Sequence, residues 1–147
     1  MGIAWAKFRV RYSFAAKGVA MNLEKVIFGF FIVLAATLNF GFFIGDIGNP
    51  AYHHIYELFA AIVVNLIATV LKFGDRTQIG AIHLATSLVA DLQLLAAASV
   101  WAYAVHVTGE GMTASITSSV VSLSGGAFLA NVVSLAILIA ETVMMRR

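Results

Sequence analysis

The chain has 147 residues, of which 61% are hydrophobic and only 11% charged. An ordinary soluble domain carries roughly 25% charged residues, so this chain has too little polar surface to coat a globule in water. The lack of cysteine excludes disulfides, iron–sulfur clusters and thiolate metal sites, and the net charge of +2 matters less than where its charges fall.

Residues 1–21 hold four basic side chains (Lys7, Arg9, Arg11 and Lys17), no acid, and scattered Trp5, Phe8, Tyr12 and Phe14. That composition reads as a basic interfacial or disordered segment at a membrane surface, with Met21 an alternative start for the folded unit. Residues 22–147 read as one transmembrane domain of four helices. The first span covers 22–45, and roughly 20 apolar residues suffice to cross about 30 Å of hydrocarbon. It ends in the turn Gly45-Asp46-Ile47-Gly48-Asn49-Pro50. Pro50, the one proline of the chain, fits the first position of a second helix over 51–73 capped by Asn49. Gly74 suits a left-handed C-terminal cap. Asp75 or Thr77 can cap a third helix over 78–107. After the turn Thr108-Gly109-Glu110-Gly111, a fourth runs over 113–144.

Short connections predict antiparallel neighbours in an up-down, all-α integral membrane bundle. All nine Lys and Arg residues fall on one side of that layout: Lys7, Arg9, Arg11, Lys17 and Lys25, then Lys72 and Arg76, then Arg146 and Arg147. Basic flanks stay on the cytoplasmic side, so both termini are expected inside a bacterial-type inner (plasma) membrane. Tyr52, Tyr56, Trp101 and Tyr103 fall near the opposite interface, where aromatic rings prefer to sit. A weak internal echo pairs Asn65 and Asp75 of the second hairpin arm with Asn131 and Glu141 of the last helix; parallel repeats do build transport folds.

Asp91 is the leading candidate for chemistry. It lies near the middle of the third helix with no other formal charge between Arg76 and Glu110. A carboxylate at the bilayer centre costs about 2.5–3.5 kcal/mol on insertion scales, so its presence needs a reason. It must be protonated, bind a cation, face water, or pair with another chain. His83, Ser87 and Asp91 recur every fourth residue and form one stripe. Asn39, Asn65 and Asn131 lie within reach of the same depth and complete a candidate ion pathway. The plainer reading of each amide is a hydrogen-bonded link between helices.

A second group of polar residues gathers at the outer turns. His53, His54 and Glu57 open the second helix, and His106, Asp46 and Glu110 end on the same side. Together they could form an outer vestibule or hold a divalent metal. The plainer reading is a wet polar rim. Ser118, Ser122 and Gly126 repeat every fourth residue, a track suited to close helix packing.

No nucleophile triad, phosphate loop or paired carboxylate motif is present, so no enzyme activity and no resident cofactor are expected. Haem or a divalent metal at the outer face is the weak exception. The leading expectation is a small homo-oligomeric membrane protein that conducts a cation, H⁺ included, or assists its passage, with Asp91 central. The alternatives are an accessory subunit of a respiratory or ion-transport complex, with Asp91 paired to a partner membrane subunit, and a haem or quinone anchor. Partners beyond the lipid bilayer and such subunits, nucleic acid above all, are not expected.

Overall fold

The computed structural model describes the backbone of residues 2–145 and the side chains of residues 23–145. The described residues are all helical apart from short turns, with no strand. Helix α1 runs Gly2–Phe43, α2 Ile55–Lys72, α3 Gln78–Ala102 and α4 Ala114–Met144. Residues 2–22 are helical and continuous with α1; the part of that helix long and apolar enough to cross a membrane is Leu23–Phe43. The three later helices meet the same requirement.

The helix ends follow the local chemistry, with three differences from the sequence reading. Asn49 does cap with its side chain, accepting from the Ala51 amide at 3.0 Å, but it caps a single 3₁₀ turn, Pro50–Tyr52. α2 begins three residues later, at Ile55 after His54. Gly74 does not adopt a left-handed conformation; among the described residues only Gly45, Gly109 and Gly111 have positive φ. Finally, helical structure reaches the expected end of the third helix, but the α-helix stops at Ala102 and the last stretch, Tyr103–Thr108, is π-helical. Gly109, at φ 68°, then ends it, a conformation open to glycine at little cost.

His53 explains why the second helix starts late. Its ring is buried, with Nδ1 2.5 Å from the Phe42 carbonyl oxygen and Nε2 2.9 Å from that of Asp46. It thereby reaches the Phe42 carbonyl at the free end of α1, which helical hydrogen bonding leaves open, and the Asp46 carbonyl of the following turn, which also accepts from the Asn49 amide; an imidazole with one N–H donates to one of the two at a time. His53→Ala is expected to cost about 1–3 kcal/mol by leaving the Phe42 carbonyl without this donor. Hydrogen exchange checks this, as faster exchange confined to the amides of residues 44–53.

At the α2–α3 turn, Asp75 accepts from the Thr77 amide at 3.0 Å and the Thr77 hydroxyl at 2.7 Å. That hydroxyl in turn accepts from the Gly80 amide at 3.0 Å and caps α3. Burial pushes the Asp75 carboxyl up, but the Thr77 bonds and the nearby Lys72 ammonium outweigh it and hold the group below its ordinary 3.8. A lowered carboxyl stabilises the fold above its unfolded value, and that stabilisation is lost as pH falls through the lowered one. The thermal stability gap between wild type and Asp75→Asn is therefore expected to close between about pH 5 and about pH 2.

α1 packs against α2 and α4, and α3 packs against α2 and α4, so the four helices close a ring. α4 is closely approached at Gly125 and Gly126, where a Cβ would lie 2.7 Å from the Phe43 ring and nearer still to Gln93 Oε1, respectively. Of the small-residue track, Ser122 is exposed, Ser118 half-buried, and Gly126 lies against Gln93. Large apolar side chains cover the outside all round, Val26, Phe30, Val70, Leu92 and Leu129 among them. Water would not tolerate so continuous an apolar surface, but hydrocarbon does.

Candidate functional site in the bundle core

The interior is divided. One apolar cluster holds Phe42, Leu58, Ala61, Ala90, Leu94, Ala97, Val120, Val121 and Ala127. A smaller one, toward the end that carries Lys25 and Lys72, holds Phe28, Ile32, Ala68 and Leu138. Between them the buried positions turn polar. On α2 the buried residues are Leu58, Ala61, Asn65, Ala68, Thr69 and Lys72; on α4 they are Thr117, Val120, Val121, Ser124, Gly125, Ala127, Asn131, Ser134 and Leu138. Asn65 and Asn131 thus stand where the apolar core breaks.

α3 supplies the spine of this band. His83, Ser87 and Asp91 are all buried, one helical turn apart on the inward face. Asp91 is 6% exposed, and its Oδ2 accepts a 2.5 Å hydrogen bond from the Thr69 hydroxyl of α2. His83 Nδ1 lies 2.9 Å from Ser134 Oγ of α4 and its ring meets Phe28 edge-on, centroids 5.1 Å apart. Asn39 of α1 accepts from the Ser124 hydroxyl of α4 at 3.2 Å and donates to the Ala35 carbonyl. Asn65 donates to the Ala61 carbonyl at 2.9 Å.

Many polar atoms in the band have no protein partner. Asp91 Oδ1, Asn65 Oδ1, Ser87 Oγ, His83 Nε2 and both amide atoms of Asn131 are buried without one. Folded proteins satisfy all but a few buried polar groups, and each unmet one costs about 1–3 kcal/mol. A cluster of them along one seam is the pattern that internal water or a bound ion fills. Nor is the Asp91 carboxyl met by a cation. The ion pairs among the described residues, Lys25–Glu141 at 2.8 Å and Lys72–Asp75 at 3.4 Å, both lie at the basic end.

The outer group does not converge. Both nitrogens of His53 are taken by backbone carbonyls, while His54, His106 and Glu110 are exposed. His106 packs edge-on to Trp101, and Glu57 is half-buried beside Gly41. Asp46 is exposed and accepts from the Gly48 amide. No three His, Asp or Glu side chains gather into a metal-binding group among the described residues.

Two members of the band, Thr69 and Ser134, escaped the sequence reading, as did two further buried hydroxyls of α4, Ser124 within the stretch of the larger apolar cluster and Thr117 beyond it. Hydroxyls on apolar helices are too common to stand out singly. The signal was relational, since Thr69 follows Asn65 by four residues, and Ser124 and Ser134 flank Asn131 at seven and three.

One known family, described as a family of unknown function (DUF6394), matches residues 52–142, which takes in α2, α3 and most of α4. No curated protein and no solved structure matches the chain.

Proposed function

The chain belongs to the DUF6394 family, and we propose that it is an integral membrane protein whose buried polar band passes a cation, with Asp91 as the site the cation occupies. The observation that carries this is the break in the apolar core, where a carboxyl without a cation partner among the described residues sits with buried polar atoms that those residues do not satisfy. Helix-to-helix adhesion would want those atoms paired with each other. Here several are left over, as a hydrated path requires.

In this reading the helices cross up and down, and the end with Lys25, Lys72 and Arg76 faces the cytoplasm, since basic flanks stay inside. The Thr69 hydroxyl fixes one oxygen of Asp91 and leaves Oδ1 toward the seam. Asn65 and Asn131 supply amides that orient water or the ion. The cluster around Leu58, Leu94 and Val120 is the barrier on the far side, which must hydrate for passage to complete.

A path through a single copy is supported by the burial of Asp91 among its own helices. A partner subunit's base could reach it only by opening the bundle, which weighs against Asp91 as an intersubunit ion pair. The test is dissipation of an imposed cation gradient by proteoliposomes, wild type against Asp91→Asn. Flux in the first and none in the second supports the proposal. Equal flux in both overturns it.

A further inference from the structure

We infer that the cation is H⁺, relayed along a water-bridged stripe from Asp91 through Ser87 to His83, with the Lys72 ammonium excluding metal cations at the basic end. This rests on the reading of the band as a cation path and goes further by naming the cargo.

The chemistry of the unmet atoms carries the first part. A site for Na⁺ or K⁺ converges oxygen acceptors, and a nitrogen or N–H donor there is wasted. The band instead mixes types. Asn131 Nδ2 is a donor, Asp91 Oδ1 and Asn65 Oδ1 are acceptors, and Ser87 Oγ serves as either. His83 Nε2 accepts or donates with the tautomer. Water, itself donor and acceptor, completes all of them. The spacing agrees, because residues four apart on a helix are displaced by about 6 Å along its axis. Two hydrogen bonds of ordinary length meeting at one water span about 4.5 Å, and a second water lengthens the bridge past about 6 Å. One or two waters between Asp91 and Ser87, and likewise between Ser87 and His83, make a continuous chain.

The proton balance is simple. A proton leaves Asp91 Oδ1, leaving a carboxylate, and each bridging group takes one proton and gives one. His83 Nε2 takes the last and becomes imidazolium. The stripe's net charge is unchanged, and one positive charge has moved two turns along α3 toward the basic end. His83 then passes a proton onward, from Nδ1 through Ser134 Oγ or back from Nε2 to water. No oxidant, reductant or other reactant enters.

Lys72 carries the second part. It is 5% exposed, and its ammonium sits 4.4 Å from the centroid of the Phe28 ring that also packs on His83. The charged groups that act on His83 are Lys72 and Asp75 beside α2, Glu141 of α4 and Lys25 of α1; on α3 itself the other ionisable group is Asp91, two turns away. Glu141 is bonded to Lys25, while Asp75, shared between its Thr77 cap and Lys72 at 3.4 Å, offsets the Lys72 charge only in part, and the ammonium lies over the buried Phe28 ring. A fixed ammonium at that point repels an ion that must travel as a body. A proton moves by exchange of bonds and needs no vacant site.

The experiment uses full-length protein in proteoliposomes, with a pH dye inside and potential clamped, set beside Na⁺ and K⁺ gradients in the same preparation. The expected result is proton flux without Na⁺ or K⁺ flux. Proton flux should fall about 10²-fold or more in Ser87→Ala and in His83→Gln, the scale of losing a proton-transfer group. Gln can still bond Ser134, so His83→Gln is expected to stay folded, and circular dichroism of each variant checks that. Lys72→Gln should admit K⁺. Asp91-dependent Na⁺ or K⁺ flux without proton flux would overturn this inference and leave the cation path standing. Absence of every flux from folded wild type overturns both.

Discussion

Asp91→Asn should lower cation flux by about 10²-fold or more, the scale seen when a proton-transferring group is removed, while leaving the protein folded. The reasoning separates two jobs of one side chain. As a hydrogen-bond acceptor for the Thr69 hydroxyl, at 2.5 Å, the carboxyl has a faithful substitute in the asparagine carbonyl. As a holder of charge or of an exchangeable proton it has none. The substitution also removes an ionisable group from the membrane interior, so melting temperature is expected to hold or rise. A variant that loses flux together with its fold would mean that Asp91 is a structural member of the bundle. Thermal unfolding and flux, measured on one preparation, distinguish these outcomes.

Asn131→Leu should move stability and flux in opposite directions. Leucine has the same branching at Cγ, so it fills the site with little change in shape. Both amide atoms of Asn131 are buried without a protein partner, a burden of about 1–3 kcal/mol for each unmet group. Replacing them with methyl groups removes that burden and joins the two apolar clusters across α4. Melting temperature should therefore rise, and flux should fall about tenfold or more as a polar member of the path is lost. Keeping a destabilising polar group is characteristic of a working site. If the variant instead melts lower, Asn131 is a helix-packing residue whose bonds hold the bundle together. If it melts higher with flux unchanged, the path runs elsewhere in the core.

Much of the fold was legible because hydrocarbon imposes a simple rule: a span needs about 20 apolar residues with its backbone bonded internally. That rule locates the four apolar spans within a few residues, though not the continuation of α1 back to Gly2. What it does not locate is the detail of their ends. The 3₁₀ turn at Pro50–Tyr52 depends on His53 reaching back to α1, a contact between residues eleven apart that no local pattern encodes. The π-helical continuation at Tyr103–Thr108 is likewise invisible to a test for helical periodicity.

Within the bundle, the stripe of His83, Ser87 and Asp91 could be drawn from spacing alone, and the structure buries all three on the inward face of α3. The partners on other helices could not, because spacing along one helix says nothing about the facing one. Thr69 and Ser134 became visible only once α2 and α4 were in place. The outer histidines illustrate the converse. Nearness in sequence suggested a shared site, but His53 turns inward to bond backbone carbonyls while His54, one residue on, is exposed.

The most direct test of the cation path is the rate at which wild-type proteoliposomes collapse an imposed cation or proton gradient, compared with protein-free vesicles of the same lipid. Faster collapse, proportional to the amount of folded protein incorporated, is the expected result. Rates equal to those of empty vesicles for H⁺, Na⁺ and K⁺ alike would contradict it, and would leave the polar band as a hydrated structural feature.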